Sequence, residues 1–323
     1  KINIFEIGLY LPGIQSVLNG EIPYRDFFHL RGPLELYVPA LLMKLFGVHI
    51  GVLYSYFYVG SVLCLIFCAL IAKEVLKSRF MLYLFVPVLI GRTFPRVVFT
   101  YWGGMRYVLG LTTVLCLIKF VRTQRLNWGF AACLLSGLSL MTSVEIGVCT
   151  LLAAGCVYAT AYSSCRSMDR KFPGKAALSF LGGIGLVLGV FGIYMIKTHS
   201  LVPFLESVYA VVFKSNPTFA THLTSSSPRT LLQFWAAMMP WEKSFKYMTP
   251  MYLYLFVAVY LGLNLRRKKL DDTNLGIVAV AGYGFALYLA AFRIFEGGQF
   301  ETAVQPEKIL LFFLLERVYA YLV

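Results

Sequence analysis

The stretch best equipped for chemistry runs Asn19-Gly20-Glu21-Ile22-Pro23-Tyr24-Arg25-Asp26-Phe27-Phe28-His29-Leu30-Arg31-Gly32-Pro33 and leads into an apolar helix, Leu34–Phe46. Asn-Gly and Ile-Pro break helix on both sides of Glu21, and Pro33 is preset for the first turn of the next helix, so the loop is held between two helical segments. Asp26 lies between Arg25 and Phe27-Phe28. Apolar surface raises a carboxyl pKa and an adjacent cation lowers it. Asp26 is therefore either a proton acceptor or a partner of Arg25 or Arg31 that pins the loop. His29 is either a proton carrier beside Asp26 or a plain surface histidine. Further along, Arg92, Arg96 and Arg106 stand beside Tyr101 and Trp102. Sugars stack on such rings, and an aromatic belt at a membrane interface has the same composition. Glu145, in Thr142-Ser-Val-Glu-Ile-Gly147, opens a helical run, where a carboxylate favours the helix dipole. Acids at the membrane edge also tend to be functional.

The elements that must position these groups are apolar. Of 323 residues, 59% belong to the apolar set and 14% are charged, against about 45–50% and about 25% in soluble domains. With a mean hydropathy of +0.73, this composition excludes a water-soluble globule, a disordered chain, collagen and a disulfide scaffold. Long continuous apolar runs, not short alternating ones, also exclude a β-barrel. Runs at 51–72, 80–91, 104–120, 128–141, 146–162, 176–196, 248–264, 275–292 and 309–323 predict about nine spans of an all-α, polytopic membrane protein, read as a single transmembrane domain over 1–323. Lys1 in place of Met, and an apolar run that reaches Val323, suggest a fragment that lacks an N-terminal span and part of its C-terminal end. Cys64, Cys68, Cys116, Cys133, Cys149 and Cys156 fall in apolar runs and read as small core residues, while Cys165 is placed in a polar loop. None has zinc-site spacing.

The net charge is +14. Lys73, Lys77 and Arg79; Lys119, Arg122 and Arg125; Arg166, Arg170, Lys171 and Lys175; and Arg266 to Lys269 occupy every second connection, the positive-inside signature. That parity orients the chain, and no nucleic-acid partner is inferred from the charge. It puts 1–35 (a first outer loop), 92–106 (a second), 142–145, the long segment 197–247 and 293–308 on the outer side, with ten of the fifteen carboxylates.

Glu6-Ile-Gly-Leu-Tyr10, Leu18-Asn-Gly-Glu-Ile-Pro-Tyr-Arg-Asp-Phe-Phe28, Gly32-Pro33 and Lys44-Leu-Phe-Gly47 resemble the first outer loop of bacterial C-type (GT-C fold) membrane glycosyltransferases. That group includes protein mannosyltransferases, lipid A aminoarabinose transferases and lipopolysaccharide-core glycosyltransferase-like proteins. The resemblance is specific over 5–47. Phe5 stands where the family usually has an Asp that serves as base or metal ligand, while Glu6, the second acid of the pair, remains. The resemblance implies a multi-pass protein of the bacterial inner membrane with its active face outward. Such a protein moves a sugar, with inversion, from a polyprenyl-phosphate donor to a glycan, lipid or protein acceptor. It needs no nucleotide, and the need for a divalent metal stays open. Transfer requires a carboxylate to deprotonate the acceptor and a cation to stabilise the departing phosphate. Glu6 and Asp26 are the catalytic candidates. Arg92, Arg96 and Arg106 are candidates for the phosphate, with Arg229, Lys243 and Arg293 as alternatives, since arginine's planar fork grips phosphate oxygens. Arg25, His29, Arg31, Tyr101, Trp102 and Glu145 complete the expected substrate site. Interfacial snorkelling accounts equally for any single arginine.

A lipid or saccharide transporter, or an inactive member of the family, shares the composition. Transporters set broken helices near the midplane in related halves, and no internal repeat is visible here. Gly182-Gly183-Ile-Gly185 lacks the spacing of a dinucleotide loop, and Gly185 with Gly189 gives a helix-packing spacing instead. Glu316-Arg317 inside the last run requires pairing or an inward orientation.

Overall fold

The computed structural model describes residues 4–93, 104–168, 174–210, 239, 245–267, 271–291 and 304–322. Among them the chain is helical: α1 (Ile4–Leu18), α2 (Leu34–Phe46), α3 (Ile50–Val75), α4 (Arg79–Thr93), α5 (Gly104–Thr123), α6 (Leu126–Thr142), α7 (Val144–Met168), α8 (Gly174–Lys197), α9 (Leu201–Tyr209), α10 (Phe245–Arg266), α11 (Asp272–Ala291) and α12 (Gln305–Leu322). This is the architecture of a helical membrane protein. Stretches of α3, α7, α8, α10 and α11 are each long and apolar enough to cross a membrane. That number is smaller than the nine runs suggest. α4 and α6 supply only shorter apolar helices, and α12 carries Glu307, Lys308, Glu316 and Arg317.

One further expectation is corrected, and segment 1–35 is given its elements: 4–18 is helical despite Gly8, Pro12 and Gly13, and precedes loop 19–33. Packing overrides propensity: Tyr10 and Ile14 are fully buried against Leu36, Met43, Leu53 and Phe57. Cys165 lies within α7 rather than in a loop.

α5 packs on α3, α6, α7 and α11, and α6 is clasped between α5, α7 and α8. α11 is buried over 61% of its most apolar window, whereas α8 is buried over only 17%, so α8 shows lipid most of its surface, including Leu178, Leu181, Val190 and Ile193. Lipid and core are equally apolar, and steric fit decides which side packs. Gly183, not the expected Gly185 and Gly189, makes the close approach. A Cβ on Gly183 would run into the α6 backbone at Phe130 and Leu134, while Gly185 and Gly189 face open space.

The bundle has two unlike ends. At one, Lys119 and Arg122 pair with Glu74, and Lys77 lies 3.3 Å from Asp271. The Ser78 N–H donates to the buried Glu316 carboxylate, and Arg317 lies 4.8 Å from the Phe313 ring centroid, so both groups of the last run find partners. Loop 19–33 lies at the other end. Gly32 seats it there: its N–H donates to the Thr142 carbonyl at 2.9 Å, and a Cβ would collide with the Met141 carbonyl. Only glycine lets the loop backbone lie on the end of α6.

Candidate functional site

Loop 19–33 has a built interior. Gly20 takes φ +90°, and Tyr24 adopts φ +71°, a left-handed conformation that strains a residue with a bulky side chain. The strain is offset by the Tyr24 N–H to Phe27 carbonyl bond of 2.8 Å and by its hydroxyl, which donates to the Arg31 carbonyl. The Tyr24 ring also packs edge-on to Phe204 of α9, with centroids 5.0 Å apart. Asp26 is fully engaged. Arg25 Nε donates to Oδ1 at 2.8 Å and Nη2 to Oδ2 at 2.9 Å, and the Ile22 N–H reaches Oδ2 at 2.7 Å. These bonds, Arg25 first, hold the exposed carboxyl at a pKa of about 2. Of the two roles open to Asp26, the geometry displays the pinned loop, with Arg25 as the partner. A carboxylate that acidic is a weak proton acceptor.

His29 is buried, not on the surface, and its Nε2 has no hydrogen-bond partner. Burial, aided by the Arg31 charge, depresses its pKa to about 3. The imidazole is neutral at neutral pH, and its nearest described ring is Tyr24, at 6.3 Å.

Beneath the loop lies a second group of charges. Arg31 Nη1 donates to the Tyr10 hydroxyl and lies 3.4 Å from Glu35 Oε2. The guanidinium carbon stands 5.3 Å from the Tyr10 ring centroid. Glu35 is 2% exposed and occupies the first turn of α2, the favourable end of a helix for an acid. Arg106, 3% exposed, enters from α5 and lies within electrostatic reach of Arg31, Glu35 and Tyr10. Its guanidinium stacks 5.1 Å from the Tyr107 ring centroid, and its Nε and Nη2 have no hydrogen-bond partner. Arg106 sits in the first turn of α5, where the helix dipole is itself positive. Among the described side chains, two cations and one carboxylate therefore come within electrostatic reach of one another near a helix N-terminus, in a site nearly closed to water.

The structure thus unites Arg31 and Arg106, which lie far apart in sequence, and adds Glu35 and Tyr10, which sequence reasoning missed as site members. Glu35 was discoverable as the acid four residues after Arg31, the spacing of a helical ion pair, carried across Gly32-Pro33 into an apolar helix. Arg25 and Asp26 pair with each other rather than joining that group. With Phe27, Phe28, Glu206 and Ser207 they line an open cleft of about 420 Å³ between the loop and α9. Glu145 occupies the first turn of α7, where it acts electrostatically on Cys149 one turn on. Glu6 belongs to α1, one turn before Tyr10, and its side chain lies outside the described residues, as does that of Arg92. Arg96, Tyr101, Trp102, Arg229, Lys243 and Arg293 also lie outside them. Among the described residues no three His, Cys, Asp or Glu side chains come together as a metal site. Comparison of the chain with protein-family models, with curated proteins and with solved structures finds no match.

Proposed function

We propose that this protein is a GT-C-like glycosyltransferase of the bacterial inner membrane that takes a sugar from a polyprenyl-phosphate donor at the face carrying loop 19–33. One observation carries the reading: Arg106, buried at a helix N-terminus beside Arg31, keeps two N–H donors without an acceptor. Burying an uncompensated cation costs several kcal/mol, roughly, even after relaxation. An anion that enters the site removes that cost, and a lipid-borne phosphate supplies both the charge and a pair of oxygens that the planar guanidinium can grip. Glu35 balances one of the two cations and holds Arg31 in place.

In the transfer, the bond from the anomeric carbon to the phosphate oxygen breaks and a bond to the acceptor hydroxyl oxygen forms on the opposite face. The hydroxyl proton passes to a carboxylate. Negative charge grows on the departing phosphate, where Arg31 and Arg106 receive it. With Asp26 held by Arg25, Glu6 is the carboxylate proposed as base. The opposite end, with its lysines and arginines around Glu74 and Asp271, faces the cytoplasm under the positive-inside rule.

The test is transfer from a radiolabelled polyprenyl-phosphate sugar in vesicles. Arg106→Gln and Glu6→Ala are expected to abolish transfer, and Asp26→Asn to reduce it. Undiminished transfer in Arg106→Gln refutes the phosphate role. Undiminished transfer in Glu6→Ala removes the base.

A further inference from the structure

The cleft between loop 19–33 and α9 has a chemistry of its own. Phe28 is 62% exposed on its wall, a large aromatic side chain left uncovered beside charged groups. Part of the loop backbone is already occupied: the Ile22 and Tyr24 N–H groups donate to Asp26 and Phe27, and the Asp26 N–H donates to the Ile22 carbonyl. The other wall is helical, with its Ser207 hydroxyl donated to the Pro203 carbonyl at 2.8 Å, which leaves the oxygen free to accept. A ligand in this cleft therefore meets the Phe28 ring, the Ser207 hydroxyl oxygen and charged side chains, a set that suits a hydroxyl-bearing ring. The charges sharpen the choice. Arg25 and Asp26 neutralise each other in a two-point pair, so among the described residues the carboxylate of exposed Glu206 leaves the lining with a net negative charge. The volume of about 420 Å³ falls in the range of small-molecule sites, about 300–1,000 Å³.

We propose that this cleft is the acceptor subsite and takes a neutral or amino-bearing sugar of a glycan: the ring packs on Phe28, Glu206 and Ser207 receive its hydroxyl or ammonium protons, and anionic sugars are turned away. The inference rests on the transferase reading, but its test does not require transfer. The full chain in nanodiscs is titrated with three disaccharides, one of N-acetylglucosamine, one of glucosamine and one containing glucuronic acid, and separately with a polyprenyl monophosphate. The first two are expected to bind at least tenfold more tightly than the third. Phe28→Ala should weaken both by about tenfold, and Glu206→Gln should erase the preference for the amino sugar over the uronate. Both residues are exposed, so neither change threatens the fold, and lipid-phosphate binding should be unaltered in both variants. Equal binding of the uronate, or disaccharide binding unchanged in both variants, overturns the proposal. If the protein binds the lipid phosphate but no disaccharide, the acceptor subsite is refuted and the donor site stands. If it binds disaccharides but no lipid phosphate, the donor reading falls instead.

Discussion

Replacing Glu35 by Gln tests the charge balance beneath the loop most directly. The Glu35 side chain is 3% exposed and its partner in Arg31 is 17% exposed, so water screens neither well. Gln keeps the volume and one acceptor oxygen but removes the one carboxylate that, among the described side chains, acts on both Arg31 and Arg106, leaving the repulsion between the two cations. Removing one partner of a buried pair costs about 3–5 kcal/mol. Because the amide can still accept from Arg31 Nη1, the loss should fall at the low end, about 3 kcal/mol. The assay is thermal unfolding of the protein in nanodiscs without added donor lipid. Arg106→Gln alone should be neutral or stabilising there, since it removes a buried charge that has lost its hydration and has two donors unanswered. In the Glu35→Gln background the same change should restore at least half of the lost stability over and above any gain it brings alone, a coupling well outside the roughly 0.3–0.5 kcal/mol scatter of independent sites. A polyprenyl phosphate should raise the unfolding temperature of Glu35→Gln more than that of the unaltered chain. Additive effects, or a Glu35→Gln loss below about 0.5 kcal/mol, the range of ordinary surface changes, would refute the reasoning.

Protonation should open the loop in two windows. The Asp26 carboxyl is depressed to about 2, so its pairing is complete above the ordinary carboxylate range near pH 4 and is lost as pH falls toward 2; the protection of the Ile22 amide against hydrogen exchange, taken relative to the intrinsic rate at each pH, should fall across that interval, and in Asp26→Asn should be low already at neutral pH. His29 is depressed to about 3, so the unfolded chain binds its proton first: stability should decline as pH drops from about 6.5 toward 3 and flatten in His29→Phe, and an unchanged pH profile in that variant removes the buried neutral imidazole as the cause. Gly183→Ala forces a methyl into the α6 backbone and should cost about 1–3 kcal/mol in thermal unfolding. Gly185→Ala and Gly189→Ala, facing open space, should be neutral or gain up to about 1 kcal/mol from helix propensity.

Over the described residues each of the nine apolar runs lies in a helix, with ends shifted by only a few residues, and the helix after Pro33 has the bounds that its pattern predicts. Continuous hydropathy needs no partner to be visible, which is why these elements are legible. α1 is not, because Gly8, Pro12 and Gly13 argue locally against a helix whose support comes from Tyr10 and Ile14 packed against α2 and α3. The glycine stripe of α8 fails for a related reason. Spacing shows that small residues share a face, while the partner that reaches that face is α6 at Gly183 rather than at Gly185. In the site, the Arg25–Asp26 pair is local and open to inference, as is the helix break at Gly20, whose φ is +90°. The meeting of Arg31 with Arg106 depends on α1, α2 and α5 converging, and no local pattern encodes it.

The same excess of positive charge has different meanings at the two ends of the bundle. Lys119 and Arg122 crowd one carboxylate, Glu74, but their side chains are 34% and 38% exposed, so water completes their solvation and the arrangement costs little. Topology alone accounts for them. Arg106 has no such recourse. It is 3% exposed, it stacks on Tyr107 rather than reaching solvent, and its nearest described acid, Glu35, already faces Arg31. Had Arg106 served only as an interfacial anchor, its guanidinium would extend to the headgroups, as snorkelling side chains do. Instead it points inward with donors open, a geometry that becomes favourable once an anion completes it.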